Sequence, residues 1–210
     1  SQMKNNILFS LTLFVIIALL YLTSMTNYLF FHIGAEGFSI IIACGIFLFS
    51  WHTRHYAHHP YLLFLGIAYG GVALLDFLHT IVYPGMQILE SAGANSSAQL
   101  WISARFMESI SLCIAPFFLK KQTLNYRLQA AIYALIVAGL GGIILHTDMF
   151  PLCYSPESGL TPFKIVSEYV ICALLLGALF TLFLKRAMLP PRVFRLVSVS
   201  IVLTILSEIT

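Results

Sequence analysis

Seven apolar runs, most of them long enough to cross a lipid bilayer, constrain this 210-residue chain more than any other feature. A spanning helix needs about 20 mainly apolar residues, and the runs cover residues 7–25, 28–50, 61–82, 99–119, 128–146, 163–184 and 196 onward. Only 9% of the residues are charged, against roughly 25% in soluble domains. The sequence therefore predicts an all-α fold, a polytopic transmembrane helix bundle of about seven spans in a lipid bilayer.

The last apolar run is shorter than the others. From residue 196 to Thr210 it would give roughly 22 Å of helix, against a hydrocarbon core of about 30 Å. We therefore expect the seventh span to be truncated. Residues 1–210 then form a single transmembrane domain.

The basic residues outside the runs predict the orientation of the chain. If the N-terminus lies in the cytoplasm, every one of them falls on the cytoplasmic side, while the 83–98 and 147–162 loops carry only acidic charges. An excess of lysine and arginine is typical of the cytoplasmic loops of membrane proteins. The basic residues on that side are Lys4, Arg54, Lys120, Lys121, Arg127, Lys185, Arg186, Arg192 and Arg195.

Seven charged residues interrupt the apolar runs, all at the depth of the predicted outer half of the bilayer. Charges at this depth are costly, and they usually face a bundle interior or a wet cavity. Five are acidic and two basic, so their net charge is −3, which is improbable without compensation. We expect protons, a metal, a cationic ligand or water to balance it. The seven are Glu36, Asp76, Arg105, Glu108, Lys164, Glu168 and Glu208.

The spacing of these residues and nearby histidines predicts one shared site. Residues three or four positions apart lie on one face of a helix. Four such pairs occur, and we expect them to converge on one polar cavity in the outer half. The pairs are His32 with Glu36, Asp76 with His79, Arg105 with Glu108, and Lys164 with Glu168.

Two kinds of chemistry fit this cavity. His32, Glu36, Asp76 and His79 have the residue types of a divalent metal site, and imidazole with carboxylate favours zinc or iron. A polar network without metal and haem ligation by His32 and His79 are the alternatives. A ligand site would use the remaining polar and aromatic residues, with Arg105 binding an anion or pairing with Glu108. Its residues are Gln99, Trp101, Arg105, Glu108, Lys164, Glu168, Tyr83 and Glu208.

Other classes of site lack their sequence signals. The four cysteines show no CxxC spacing, so a thiolate metal site or a disulfide framework is not supported. No basic patch with interleaved aromatic residues occurs, which argues against nucleic-acid binding. No Ser–His pair has a recognisable nucleophilic setting.

Five stretches carry a resemblance to a known family: FHIGAEGFSIIIACGIFLFSW, LLFLGIAYGGVALLDFLHTIVYPGM, QLWISARFMESISLCIAPF, GLTPFKIVSEYVI and TILSEIT. In this order they resemble the bacterial membrane-associated sensor domain of the third type, over nearly the whole chain. The resemblance implies an inner-membrane input module fused to a histidine kinase or a diguanylate cyclase. It also implies that ten residues fall on the family's characteristic polar positions: His32, Glu36, Asp76, His79, Gln99, Trp101, Arg105, Glu108, Lys164 and Glu168. A further helix and the output domain would follow Thr210, so this chain would have no catalytic activity of its own.

These observations predict a transmembrane sensory input domain that relays a ligand or metal-linked stimulus to a cytoplasmic output domain. We also expect a homodimer. The alternative is a membrane-embedded, hydrolase-like metalloenzyme with histidine and carboxylate ligands. A transporter ranks third, because the chain shows no evident internal repeat.

Overall fold

The computed structural model describes residues 2–56, 59–86, 88, 93–121 and 123–209, and within them the chain is almost entirely helical. The seven α-helices of this part are α1 (Gln2–Thr26), α2 (Tyr28–Thr53), α3 (Pro60–Ile81), α4 (Ala94–Ile114), α5 (Tyr126–His146), α6 (Pro162–Leu184) and α7 (Pro191–Ile209). Short 3₁₀ turns follow α4 at Ala115–Phe118 and α6 at Arg186–Met188. A two-stranded antiparallel ribbon pairs β1 (Tyr154–Ser155) with β2 (Gly159–Leu160). The predicted all-α, polytopic bundle is confirmed.

The chain divides into two compact units, Ser1–Ser39 and Ile40–Thr210. The first unit holds α1 and the beginning of α2. There the side chain of Asn27 accepts a hydrogen bond from the Phe30 amide at 3.1 Å, and so caps the start of α2. The second unit holds the rest of α2 and all later elements.

The core of the second unit is built around α3 and α4. In the most apolar 18-residue stretch of each helix, 67% of α3 and 61% of α4 are buried, against 22% of α5 and 28% of α6. Leu75 on α3 and Leu100 on α4 are fully enclosed. Helices α5 and α6 instead present large apolar side chains outward, including Leu135 and Phe180. Such an outer surface is expected where helices face lipid rather than water.

Five helices of the described residues are long and apolar enough to cross a membrane: α2, α3, α4 with its 3₁₀ extension, α5 and α6. Helix α1 contains a shorter apolar segment, Phe14–Thr26. Helix α7 is not one of the five, and its first two turns carry Arg192 and Arg195. The prediction of about seven spans thus agrees with the number of helices, and five of them meet the length and hydropathy of a span.

Two glycines bring α2 and α3 together within the second unit. A Cβ atom at Gly66 would lie 2.2 Å from the Cβ of Ser50, and one at Gly70 would lie 2.8 Å from the ring of Phe47. These glycines are four residues apart, so they form one smooth face along α3. Small residues at such positions let membrane helices approach closely.

Candidate functional site

An ion-pair cluster joins α3 and α4 in the interior of the second unit. Arg105 on α4 donates to Asp76 Oδ2 on α3 at 2.7 Å and to Glu108 Oε2 on its own helix at 2.6 Å. Both carboxylates are almost fully buried, with side-chain exposures of 4% and 7%. Buried charges persist when they are paired and hydrogen-bonded. One arginine therefore holds two carboxylates on different helices.

Tyr69 adds a neutral donor to this cluster. Its hydroxyl donates to Glu108 Oε1 at 3.0 Å, so each oxygen of that carboxylate has a partner. On α7 the hydroxyl of Ser200 also interacts with Tyr69. Tyr69 precedes Asp76 by seven residues, which is two helical turns, and so the two residues lie on one face of α3.

A second ion pair lies on α6. Lys164 and Glu168 are hydrogen-bonded to each other, one turn apart. The Lys164 ammonium lies 4.7 Å from the centre of the Trp101 ring, in a cation–π contact. Trp101 is one turn from Arg105 on α4, which places the ring and the guanidinium on one helix face.

Glu208 lies among these charges. Both of its carboxylate oxygens are buried and have no hydrogen-bond partner within the described part of the chain. It interacts electrostatically with Arg105, Glu108, Lys164 and Glu168. In the second unit four carboxylates, on Asp76, Glu108, Glu168 and Glu208, thus face two basic groups. Their formal charge is −2.

The hydrogen bonds of His79 define its tautomer. Its Nδ1 atom lies 2.8 Å from the carbonyl oxygen of Ser97 and 3.0 Å from the Ser97 hydroxyl. Because a carbonyl oxygen only accepts, Nδ1 carries the proton in this arrangement. Nε2 of the neutral ring is then the basic atom. Metal-ligating histidines commonly donate their other ring N–H to a backbone carbonyl in this way.

The Tyr83 ring and the Asp76 carboxylate also lie near His79. The Tyr83 ring contacts the His79 ring edge to face, with centroids 6.0 Å apart. Asp76 lies one turn earlier on α3, and its Oδ1 atom is buried with no hydrogen-bond partner among the described residues. Helix α3 therefore presents a basic nitrogen and a carboxylate oxygen three residues apart.

Gln99 anchors the segment between α5 and α6. Its side-chain amide donates to the carbonyls of Phe150 at 3.1 Å and Pro151 at 2.9 Å. Asn95, one turn earlier on α4, accepts from the amides of Cys153 at 2.8 Å and Tyr154 at 3.1 Å. The first turns of α4 thus hold this segment by four hydrogen bonds, and both donors of Gln99 are used there.

The same segment buries Cys153 completely. Burial raises the pKa of this thiol from 9.0 to about 11, although the nearby Lys164 opposes the shift. A thiol is the reactive nucleophile only as its thiolate. Cys153 therefore stays protonated and unreactive near neutral pH.

His32 and Glu36 lie on α2 in the first unit, one helical turn apart. The His32 ring stacks on the ring of Tyr28, with centroids 6.2 Å apart. Their spacing places both side chains on one face of the helix. Their grouping with Asp76 and His79 into a metal site stays a prediction.

A family model described as a membrane-associated sensor domain, MASE3, matches residues 23–210. The chain belongs to the MASE3 family. The match includes the whole second unit and all of α2, and it confirms the resemblance seen in the sequence motifs. No curated protein sequence and no solved structure matches this chain. The protein is thus a membrane-associated sensor domain with several apolar helices long enough to span a bilayer.

Within this MASE3 domain the predicted residues of the second unit lie in several places. Asp76, Arg105 and Glu108 form the central cluster, and Trp101, Lys164 and Glu168 form the adjoining one. His79 and Tyr83 are in contact at the end of α3, and Gln99 binds the segment between α5 and α6. Glu208 lies among the charges of both clusters. Sequence reasoning missed Tyr69, Asn95 and Ser97. The seven-residue spacing of Tyr69 from Asp76 was a usable signal, but nothing local revealed the partners of Asn95 and Ser97.

Proposed function

We propose that this MASE3 domain detects a ligand or metal-linked stimulus in the polar cluster around Arg105, in the predicted outer half of the bilayer. The observation that carries the proposal is the buried carboxylate of Glu208, which lacks a hydrogen-bond partner within the described residues while four charged groups surround it. Two carboxylates in excess of the basic groups favour an added positive charge. A cation or a proton is the stimulus that such a cluster would register most directly.

A divalent metal is the cation that we propose, held by His32, Glu36, Asp76 and His79. Support comes from the Nδ1–H tautomer of His79 and the unpartnered Oδ1 of Asp76 among the described residues. Imidazole and carboxylate donors favour zinc or iron over magnesium and calcium, which prefer oxygen ligands. Ligand distances near 2.0–2.2 Å would be expected.

The signal would leave the site through α4 and α6, towards a kinase or cyclase on the cytoplasmic side of a bacterial inner membrane. Both helices carry charged residues of the cluster, and at their other ends the Lys185 ammonium donates to the Pro116 carbonyl at 3.0 Å. A change in the distance between Arg105 and Lys164 would therefore alter the packing of these ends. Spin labels at positions 121 and 187 would report that change.

Metal content tests the proposal. The chain would be purified without chelator and without a metal-affinity step, as wild type, His79→Ala and the control His146→Ala. We expect stoichiometric zinc or iron in wild type and His146→Ala and a loss of at least tenfold in His79→Ala. The metal site would be contradicted if wild type held less than one metal ion per chain and His79→Ala held as much as wild type. The cluster would then be tested as a proton network by titration of the spin-label distance with pH.

A further inference from the structure

A cavity of about 650 Å³ lies in the second unit, next to the ion-pair cluster, between the later part of α2, α3, α4 and α7. Its walls are mostly apolar and include Ile42, Phe49, Leu62 and Leu196. The lining residues of α2 extend from Ile42 to Thr53, about 17 Å of helix. One leaflet of a bilayer has a hydrocarbon depth of about 15 Å. The cavity thus has the length of one acyl chain.

The two ends of the cavity differ in polarity. At one end lie Thr53, Arg54 and His59, at the turn between α2 and α3. At the other end lie Tyr69 and Ser200, whose hydroxyls adjoin the polar cluster. An occupant therefore needs an apolar body and a polar group that suits Arg54.

Arg54 places a positive charge at the end of the cavity near the turn between α2 and α3. Its guanidinium lies over the ring of Trp51, 4.7 Å from the centroid, and donates to the Trp51 carbonyl. Its Nε atom is buried and has no hydrogen-bond partner within the described residues. Arg192 lies one turn before Leu196 on α7, and the segments 51–60 and 185–196 contain no acidic residue. Arginine binds phosphate groups by paired, charge-assisted hydrogen bonds.

We propose that this cavity binds one anionic phospholipid from the leaflet at the Arg54 end, which the sequence predicts to be cytoplasmic. The acyl chain lies along the apolar wall, and the headgroup phosphate accepts from the Arg54 guanidinium. The far end of the chain contacts the ring of Tyr69, whose hydroxyl donates to Glu108 at 3.0 Å. Tyr69 thus belongs both to the wall of the lipid-binding cavity and to the polar cluster.

Lipid retention on the purified chain tests this site. The protein in detergent would be titrated with phosphatidylglycerol or phosphatidylcholine, and bound lipid would be counted by native mass spectrometry. We expect phosphatidylglycerol to bind about tenfold more tightly, and Arg54→Gln to remove that preference. The matched control is Arg127→Gln, a basic residue of the same end that does not line the cavity, and it should keep the preference.

Filling the cavity gives an independent test. A Cβ at Gly45, which lines the cavity, would meet nothing within 4 Å, and the same holds for Gly139 on α5 outside it. Gly45→Leu should abolish lipid retention, whereas Gly139→Leu should not. If Gly45→Leu lowers the thermal unfolding temperature, Leu196→Trp fills the cavity from the opposite wall. Equal binding of phosphatidylglycerol and phosphatidylcholine would overturn the proposal. So would tight retention of phosphatidylcholine that is the same in wild type, Arg54→Gln, Gly45→Leu and Leu196→Trp.

Discussion

Arg105 and Asp76 meet across two helices, with the guanidinium nitrogen 2.7 Å from Oδ2 of the carboxylate. Another guanidinium nitrogen of Arg105 lies 2.6 Å from Oε2 of Glu108, so one arginine pairs with two carboxylates. The cost of removing a charge from this cluster therefore depends on which charge is removed. Loss of the arginine leaves two buried carboxylates together, whereas loss of Asp76 leaves a neutral pair.

The first prediction concerns this asymmetry. Arg105→Gln should lower the free energy of unfolding by about 3–5 kcal/mol, since breaking a buried pair leaves an uncompensated charge. Asp76→Asn should cost less, because the Arg105–Glu108 pair remains. Denaturant unfolding of the purified chain in mild detergent measures both. A larger loss in Asp76→Asn than in Arg105→Gln would show that the cluster is not organised around the arginine.

The second prediction concerns the close contact of α2 and α3. In Gly66→Ala the new Cβ would lie 2.2 Å from the Cβ of Ser50, and because both atoms are next to backbone the helices must separate. Overpacking of this kind costs about 1–3 kcal/mol. The matched control is Gly139→Ala, whose Cβ would meet nothing within 4 Å. Thermal unfolding should separate the two variants, and equal unfolding temperatures would contradict the close approach.

The third prediction concerns Cys153. Its raised pKa means that the folded chain favours the protonated thiol, so this contribution to stability is present below pH 9 and is lost as pH rises through about 11. Maleimide labelling of a chain with Cys44, Cys113 and Cys172 replaced by alanine should be slow near neutral pH. In Asn95→Ala the segment loses the acceptor for two amides, and labelling should become faster. Fast labelling of the unmutated segment at neutral pH would contradict its burial.

The fourth prediction is the orientation of the chain, which rests on the basic residues of its loops. Cysteines at positions 121 and 158 would be introduced separately into a chain whose native cysteines are replaced by alanine. Both positions are exposed. A membrane-impermeant maleimide added to intact cells should label position 158 only, and position 121 should react after permeabilisation. Labelling of position 121 in intact cells would reverse the proposed topology.

Prediction of the helices succeeded because their signal is local. The apolar run 163–184 became α6 at Pro162–Leu184, and the run 61–82 became α3 at Pro60–Ile81. The misses lie at polar ends. Helix α4 begins at Ala94 rather than at residue 99, because its first turn is polar, with Asn95 and Ser97 bound to other segments. Helix α7 begins at Pro191, a residue suited to the first turn of a helix, before its apolar run starts.

The sequence by itself determined the class of fold, the positions of the helices and the pairs that share one helix face, such as Arg105 with Glu108 and Lys164 with Glu168. These follow from a period of 3.6 residues and from the cost of charges in lipid. Only the tertiary structure decided that Arg105 reaches Asp76, that Tyr69 donates to Glu108 and that Gln99 binds backbone carbonyls. The reason is physical: contacts between helices depend on how deep each helix is buried and how it is rotated, and the spacing of residues along one helix carries neither quantity.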